Sequence, residues 1–234
     1  MLAETLSRED RTRSRQHLIG ILTSFGAAGR DVVERLMQSP NAAVRRTAVL
    51  LLREFGGFDA LPQLEAMLHD HEPHVQREAT RAIAMMGVEP AYETLVSGLV
   101  KGTESVRAAL TGVLCSLPLE ESSAALAHIV TRAPVTGAMT AVHQRALQRL
   151  AGSSGPIVTA ALGEALRRGN PLAPLRTRML RRLAADALAR IGTEDATEQL
   201  HAAAVGGTWG IRAAVKAALA AAPRHDGRRG SREQ

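Results

Sequence analysis

From Val44 the chain runs VRRTAVLLLREFG, and 31 residues later, from Val75, it runs VQREATRAIAMMG. Both stretches place apolar residues at offsets 0, +4, +8 and +11: Val44, Ala48, Leu52 and Phe55 in the first, Val75, Ala79, Ile83 and Met86 in the second. Both then put Gly at +12. Spacings of four, four and three hold these residues on one side of a helix, and the glycine suits the left-handed position that closes it.

The same frame recurs from Ser14, Val44, Val75, Val106, Val142, Leu180 and Ile211. Offset +8 is always aliphatic: Leu22, Leu52, Ile83, Leu114, Leu150, Leu188 and Leu219. Offset +4 is mostly small, as helix backbones approaching to about 8 to 10 Å require. This predicts helices near residues 8–25, 42–55, 73–86, 104–116, 139–152, 175–191 and 208–221. A partner helix precedes most of them. Val33, Leu64, Leu95 and Leu200 stand eleven residues before a frame, and Met37, Leu68, Leu99 and Ala204 stand seven before. One such helical hairpin cannot bury its apolar face alone, so the copies must stack.

The stretch LPQLEAMLHDHEPHVQREATRAIAMMG, residues 61–87, carries a resemblance at this point. It is similar to a HEAT repeat of the short bacterial kind, as in phycobilin lyase subunits. That family sets an Asp five residues before the Val and an Arg just after it. Asp70 and Val75 match, with Gln76 where the Arg belongs, while Arg45, Arg107 and Arg212 match the Arg without a matching Asp. The Asp/Arg ladder between neighbouring repeats is therefore expected to be incomplete. The resemblance implies an all-α fold: a right-handed α-solenoid of about six to seven stacked hairpins over residues 1–222. Residues 223–234, RHDGRRGSREQ after Pro223, have no apolar side chain to bury and read as a disordered basic tail.

Only 2% of residues are aromatic against 45% hydrophobic, so the core must be built from Leu, Val, Ile and Ala. The single cysteine, Cys115, excludes an intrachain disulfide and reads as a packing residue. No segment reaches the roughly 18 to 20 apolar residues of a membrane span, and Met1 is followed by Glu4, Arg8, Glu9 and Asp10 where a signal peptide needs an apolar run. A cytoplasmic protein, or the cytoplasmic part of one, is expected. The charged start is either the cap of the array or the second helix of a repeat whose first half lies upstream.

Charge is shared unevenly. Residues 1–121 carry a net −3, whereas residues 122–192 carry ten Arg against Glu164 and Asp186. Arg167, Arg168, Arg176, Arg178, Arg181, Arg182 and Arg190 crowd the fifth repeat, a patch suited to an acidic protein surface, a phosphate or nucleic acid. The plain alternative is a solvated face in a chain that uses 27 Arg and two Lys. The two longest intervals between frames hold APVTGAMT, residues 133–140, and GNPLAP, residues 169–174. Insertions in solenoids map to loops, often on the binding face.

Smaller signals are weaker. His69, His71 and His74 could present imidazoles to a transition metal, but they match no known finger spacing and lie in a turn where polar residues belong. Trp209, the only tryptophan, reads as a ring packed over the last repeat, with an exposed binding anchor as the alternative. No Gly-rich phosphate loop, nucleophile elbow or paired-Cys site is present, and no cofactor or small-molecule substrate is implied. The expected function is a noncatalytic scaffold that binds a protein partner through the concave face of the second helices. Its candidate contacts are Arg46, Arg77, Arg81, Arg178, Arg181 and Arg182. Nucleic-acid binding through the basic fourth and fifth repeats is the first alternative. HEAT-like alkyl-base DNA glycosylases resemble the chain in fold, but they use aromatic residues that these two repeats lack. A lyase-like role in chromophore attachment, implied only by the repeat resemblance, is the second alternative.

Overall fold

The computed structural model describes residues 24, 27–55 and 58–221. The helix expected near residues 8–25 and the tail from 223 lie outside the described residues, apart from Ser24, which is helical. Every regular element described is helical. In chain order the α-helices are α1 (Ala27–Met37), α2 (Ala42–Phe55), α3 (Leu61–Met67), α4 (Pro73–Ala84), α5 (Glu89–Lys101), α6 (Glu104–Ser116), α7 (Leu119–Arg132), α8 (Thr140–Leu150), α9 (Pro156–Arg167), α10 (Pro174–Ile191), α11 (Glu194–Gly206) and α12 (Trp209–Ala221). A 3₁₀ turn, Phe58–Ala60, leads into α3. No described helix is long and apolar enough to cross a membrane.

The chain divides into two compact units, Met1–Ile129 and Val130–Gln234, with the boundary inside α7. In the first, α2, α4 and α6 pack side by side as one layer, and α1, α3 and α5 pack against them as the other. In the second, α8, α10 and α12 form the corresponding layer, covered by α9 and α11. Each unit is a stack of helical hairpins, the arrangement of an α-solenoid.

The frame explains why these helices pack. At offset +4, Ala48, Ala79, Leu110, Ala146, Ala184 and Val215 are all at most 1% exposed, and at +8 Leu52, Ile83, Leu114, Leu150 and Leu188 are at most 2% exposed. Small residues at +4 let the backbones approach, and within each unit the larger Leu52, Ile83, Leu150 and Leu188 at +8 fill the space between successive second helices. Leu219 breaks the column and is 55% exposed. Burial at +8 needs a following second helix, and none of the described helices follows α12.

Helix ends are set locally. Thr103 and Thr193 cap α6 and α11 by accepting from the backbone N–H groups of Val106 and Ala196. Pro62, Pro73, Pro90, Pro156 and Pro174 stand in first turns, where the missing N–H costs nothing. Gly87 and Gly192 at offset +12 have φ of 71° and 64°, the left-handed conformation that ends a helix at little steric cost only for glycine.

Candidate functional site

The Val130–Gln234 unit contains a cleft of about 720 Å³ on its second-helix layer. One wall is α10, which carries Arg178, Arg181 and Arg182. Spacings of three and four put these guanidinium groups on one face of the helix. The opposite wall is the start of α12, with Trp209 and Gly210, and the mouth is formed by the insertion GNPLAP. Asn170 folds that insertion onto α10. Its backbone N–H donates to Thr177 Oγ1 at 2.8 Å, the Thr177 hydroxyl donates back to Asn170 O at 3.0 Å, and Asn170 Oδ1 accepts from Leu172 N at 2.9 Å. Asn170 Nδ2 also donates to Val135 O at 3.2 Å, tying this insertion to the other, APVTGAMT.

Arg181 is the best-placed cation of the cleft. Its Nε donates to Arg168 O at 3.2 Å, and its terminal nitrogens lie between two glycines. A Cβ at Gly169 would stand 2.9 Å from Nη2, and one at Gly210 would stand 3.1 Å from Nη1, closer than ordinary contact. Arg182 Nε is held by Asp186 Oδ2 at 2.9 Å, and Arg167 Nη2 by Gln199 Oε1 at 3.0 Å. Among the described residues, Arg178 and Arg181 have no carboxylate partner. Beside these charges Trp209 is 78% exposed and Leu175 80% exposed, so apolar surface and unneutralised cations share one recess.

The remaining sequence-predicted arginines lie in the Met1–Ile129 unit and are differently employed. Arg46 Nε sits 3.5 Å from Glu78 Oε2, and Arg81 Nη2 sits 3.2 Å from Glu121 Oε1. Arg77 is exposed on α4. The structure thus brings Arg178, Arg181 and Arg182 into one site and engages Arg46 and Arg81 in local ion pairs.

The capping reading of Trp209 is corrected. GTESVR, residues 102–107, and GTWGIR, residues 207–212, begin α6 and α12 in the same way, with Arg107 Nη1 donating to Gly102 O and Arg212 Nη1 to Gly207 O. Trp209 therefore occupies the position of Glu104, and both side chains face solvent. Both Trp209 and Arg178 stand two residues before their frame start, 31 apart. Equal offsets in adjacent repeats are neighbours across a stack, a signal that could have paired the two from the sequence.

His69, His71 and His74 are exposed and do not bring three ligand atoms together. His71 instead lies at a buried ion pair, its Nε2 3.1 Å from Arg45 Nη2. The described group able to hold a cation is another one: Glu89, Glu93 and His128, whose ligand atoms lie within 4.8 Å of one another. Two carboxylates one turn apart on α5 and an imidazole from α7 offer oxygen and nitrogen donors that divalent transition metals accept. Here His128 Nε2 is 2.9 Å from Glu93 Oε1, and the imidazole also lies against Tyr92, with ring centroids 5.6 Å apart. This group is not legible in the chain alone, because His128 lies 35 residues beyond Glu93 and shares no frame position with it.

Residues 29–115 match a family model described as HEAT repeats, and residues 180–205 match one described as a PBS lyase HEAT-like repeat. The chain carries HEAT repeats. No curated protein matches it. A solved structure of human deoxyhypusine hydroxylase in complex with glycerol is similar at 18% identity, over 91% of this chain and 89% of that one, with a TM-score of 0.34.

The HEAT repeats of the first unit contain a rung that single-repeat comparison hides. Arg45 of one repeat grips Asp70 of the next, with Nε to Oδ2 at 2.7 Å and Nη2 to Oδ1 at 2.9 Å. Its Nη1 also caps Ser39 O and Pro40 O. The hydrogen bonds from Arg45 hold the Asp70 carboxyl below its ordinary range, and the same bonds push the Arg45 guanidinium up. The two halves of this rung come from different repeats, which is why neither repeat alone shows both. Gln76, where the Arg would stand in its own repeat, donates to Asp70 O at 2.6 Å and holds the same turn.

Proposed function

We propose that the protein is a noncatalytic HEAT-repeat scaffold that binds a protein partner on the second-helix layer of the Val130–Gln234 unit, through an acidic part of that partner's surface. The observation that carries this reading is the cleft, where Arg178 and Arg181 stand without a carboxylate among the described residues beside the exposed Trp209. Arg and Trp are the residues most enriched among those that dominate binding energy, and desolvating them together serves both attraction and specificity. Unneutralised guanidinium groups also raise the encounter rate with an acidic surface.

The test is affinity capture at two salt concentrations with the intact chain, an Arg178→Gln/Arg181→Gln variant and a Trp209→Ala variant. A partner retained by the intact chain should be lost at least tenfold by both variants, and its retention should fall as salt rises. A partner held equally well by all three proteins would put the binding surface elsewhere and defeat the reading.

Nucleic-acid binding is the second reading, supported by the ten Arg against two acids in residues 122–192. Against it, the arginines of the cleft converge on one recess, whereas a phosphate backbone is followed by cations spread along a track. Arg168 is also turned inward, donating to Val130 O and Ala133 O. Oligonucleotide binding that weakens steeply with salt would favour this second reading.

A further inference from the structure

We infer that the cleft recognises a phosphorylated side chain on an extended segment of the partner, with Trp209 receiving the apolar residue next to it. This rests on the scaffold reading and names the chemistry of its occupant.

Charge decides between a carboxylate and a phosphate. Arg178, Arg181 and Arg182 share one face of α10 with only Asp186 paired among them, which leaves two positive charges uncompensated. A glutamate or aspartate brings one negative charge. A phosphomonoester brings about −1.5 to −2 near neutral pH and three strong acceptor oxygens. Arginines three and four residues apart on a helix stand about 5 to 6 Å from each other at Cβ, so their guanidinium groups can converge on one such group.

The donors are also held in place beforehand. Arg181 is positioned by the Arg168 carbonyl and by the space left at Gly169 and Gly210. Its Nη1 and Nη2 have no protein acceptor among the described residues, so both are available to an anion. A side chain already fixed in its bound position loses little freedom on binding, and that loss is what usually weakens arginine contacts.

The apolar half of the recess favours a peptide. Trp209, Leu175, Pro171 and Pro174 face the same space as the guanidinium groups, and Leu172 at the insertion is 92% exposed. An aliphatic or aromatic side chain next to the phosphorylated residue would cover this surface. Strands of nucleic acid are instead held by several stacking rings in succession, and the cleft offers a single ring.

The experiment uses the full chain and an array of nonapeptides. The central residue is phosphoserine, serine or glutamate, and the flanking residues vary without tryptophan. Retention should be at least tenfold greater on phosphoserine than on serine or glutamate, and greatest where Leu, Ile or Phe adjoins it. Trp209 is the only tryptophan in the chain, so its fluorescence reports titration of the best peptide directly at the cleft. Arg181→Gln and the solvent-exposed Arg178→Gln should each weaken that titration tenfold or more with an unchanged helical melt, while Arg46→Gln should leave it unaltered. Equal retention on serine and phosphoserine would overturn the inference. So would inorganic phosphate binding as tightly as the best peptide, or a polythymidine oligonucleotide binding more tightly. A partner whose capture depends on Arg178 and Arg181 yet survives phosphatase treatment would overturn the phosphate while leaving the scaffold standing.

Discussion

Arg45 and Asp70 are joined by two parallel hydrogen bonds across successive HEAT repeats, with both side chains about 95% buried. The pair is a deeply buried polar link in a stack held mainly by aliphatic contacts, and each group is costly to bury without the other. Asp70 also accepts from the Glu72 backbone N–H, which fixes the turn between α3 and α4.

Asp70→Asn should therefore lower the Tm clearly more than Glu121→Gln, whose partner Arg81 is far more open to water. The difference should depend on pH. The Asp70 carboxyl is held below its ordinary range, so the unfolded chain takes up its proton first as pH falls below about 4. The stability that the carboxylate contributes is complete above that pH and is lost as pH falls through the folded value. Thermal melts of both proteins should draw together as pH falls below about 4.

His143 is 2% exposed on α8, its Nδ1 donating to Met139 O at 3.0 Å. Burial lowers its pKa, and nearby Arg168 lowers it further. The native protein keeps this imidazole neutral while the unfolded chain protonates it below about pH 6.5. Stability should fall as pH drops through the range beneath that value, and His143→Gln should remove that part of the slope. Urea midpoints measured for both proteins at each pH check this.

Leu52→Ala and Ile83→Ala should each destabilise by about 2 to 5 kcal/mol, since they empty positions buried between second helices. Leu219→Ala changes the same frame position where it is exposed, and should stay within about 0.5 kcal/mol. Denaturant unfolding of the three variants distinguishes a position that is buried by stacking from one that is only aliphatic.

Gly210→Ala separates binding from stability. The residue is the second of α12, and alanine there should raise helix stability modestly, by less than the roughly 1 kcal/mol of a mid-helix exchange. The added methyl would press on Arg181 Nη1, the flexible end of a side chain, and displace the guanidinium. A higher Tm with weaker partner capture is the expected result. Unchanged capture would show that the position of Arg181 is not read by the partner.

The helical character of the chain was legible because its apolar spacing admits only one regular structure, and Ala48, Leu52, Ala79 and Ile83 could be placed on a buried face by counting alone. Helix α9 was less legible, since its eleven- and seven-residue register is lost across the insertion GNPLAP. The cleft was half legible. Arg178, Arg181 and Arg182 stood out by charge, while Trp209 was not legible, because a tryptophan invites burial and its exposure follows from the geometry at the start of α12.

The sequence by itself determined the period, and through the period the hairpin, the buried column and the need for copies to stack, because those follow from local geometry and from the removal of apolar surface from water. Only the tertiary structure decided which side chains supply opposite halves of a contact: Arg45 with Asp70, and Arg181 between Gly169 and Gly210. Those meetings depend on how one hairpin is set against the next. A pattern within a single repeat specifies its own face and carries no record of the neighbour it will touch.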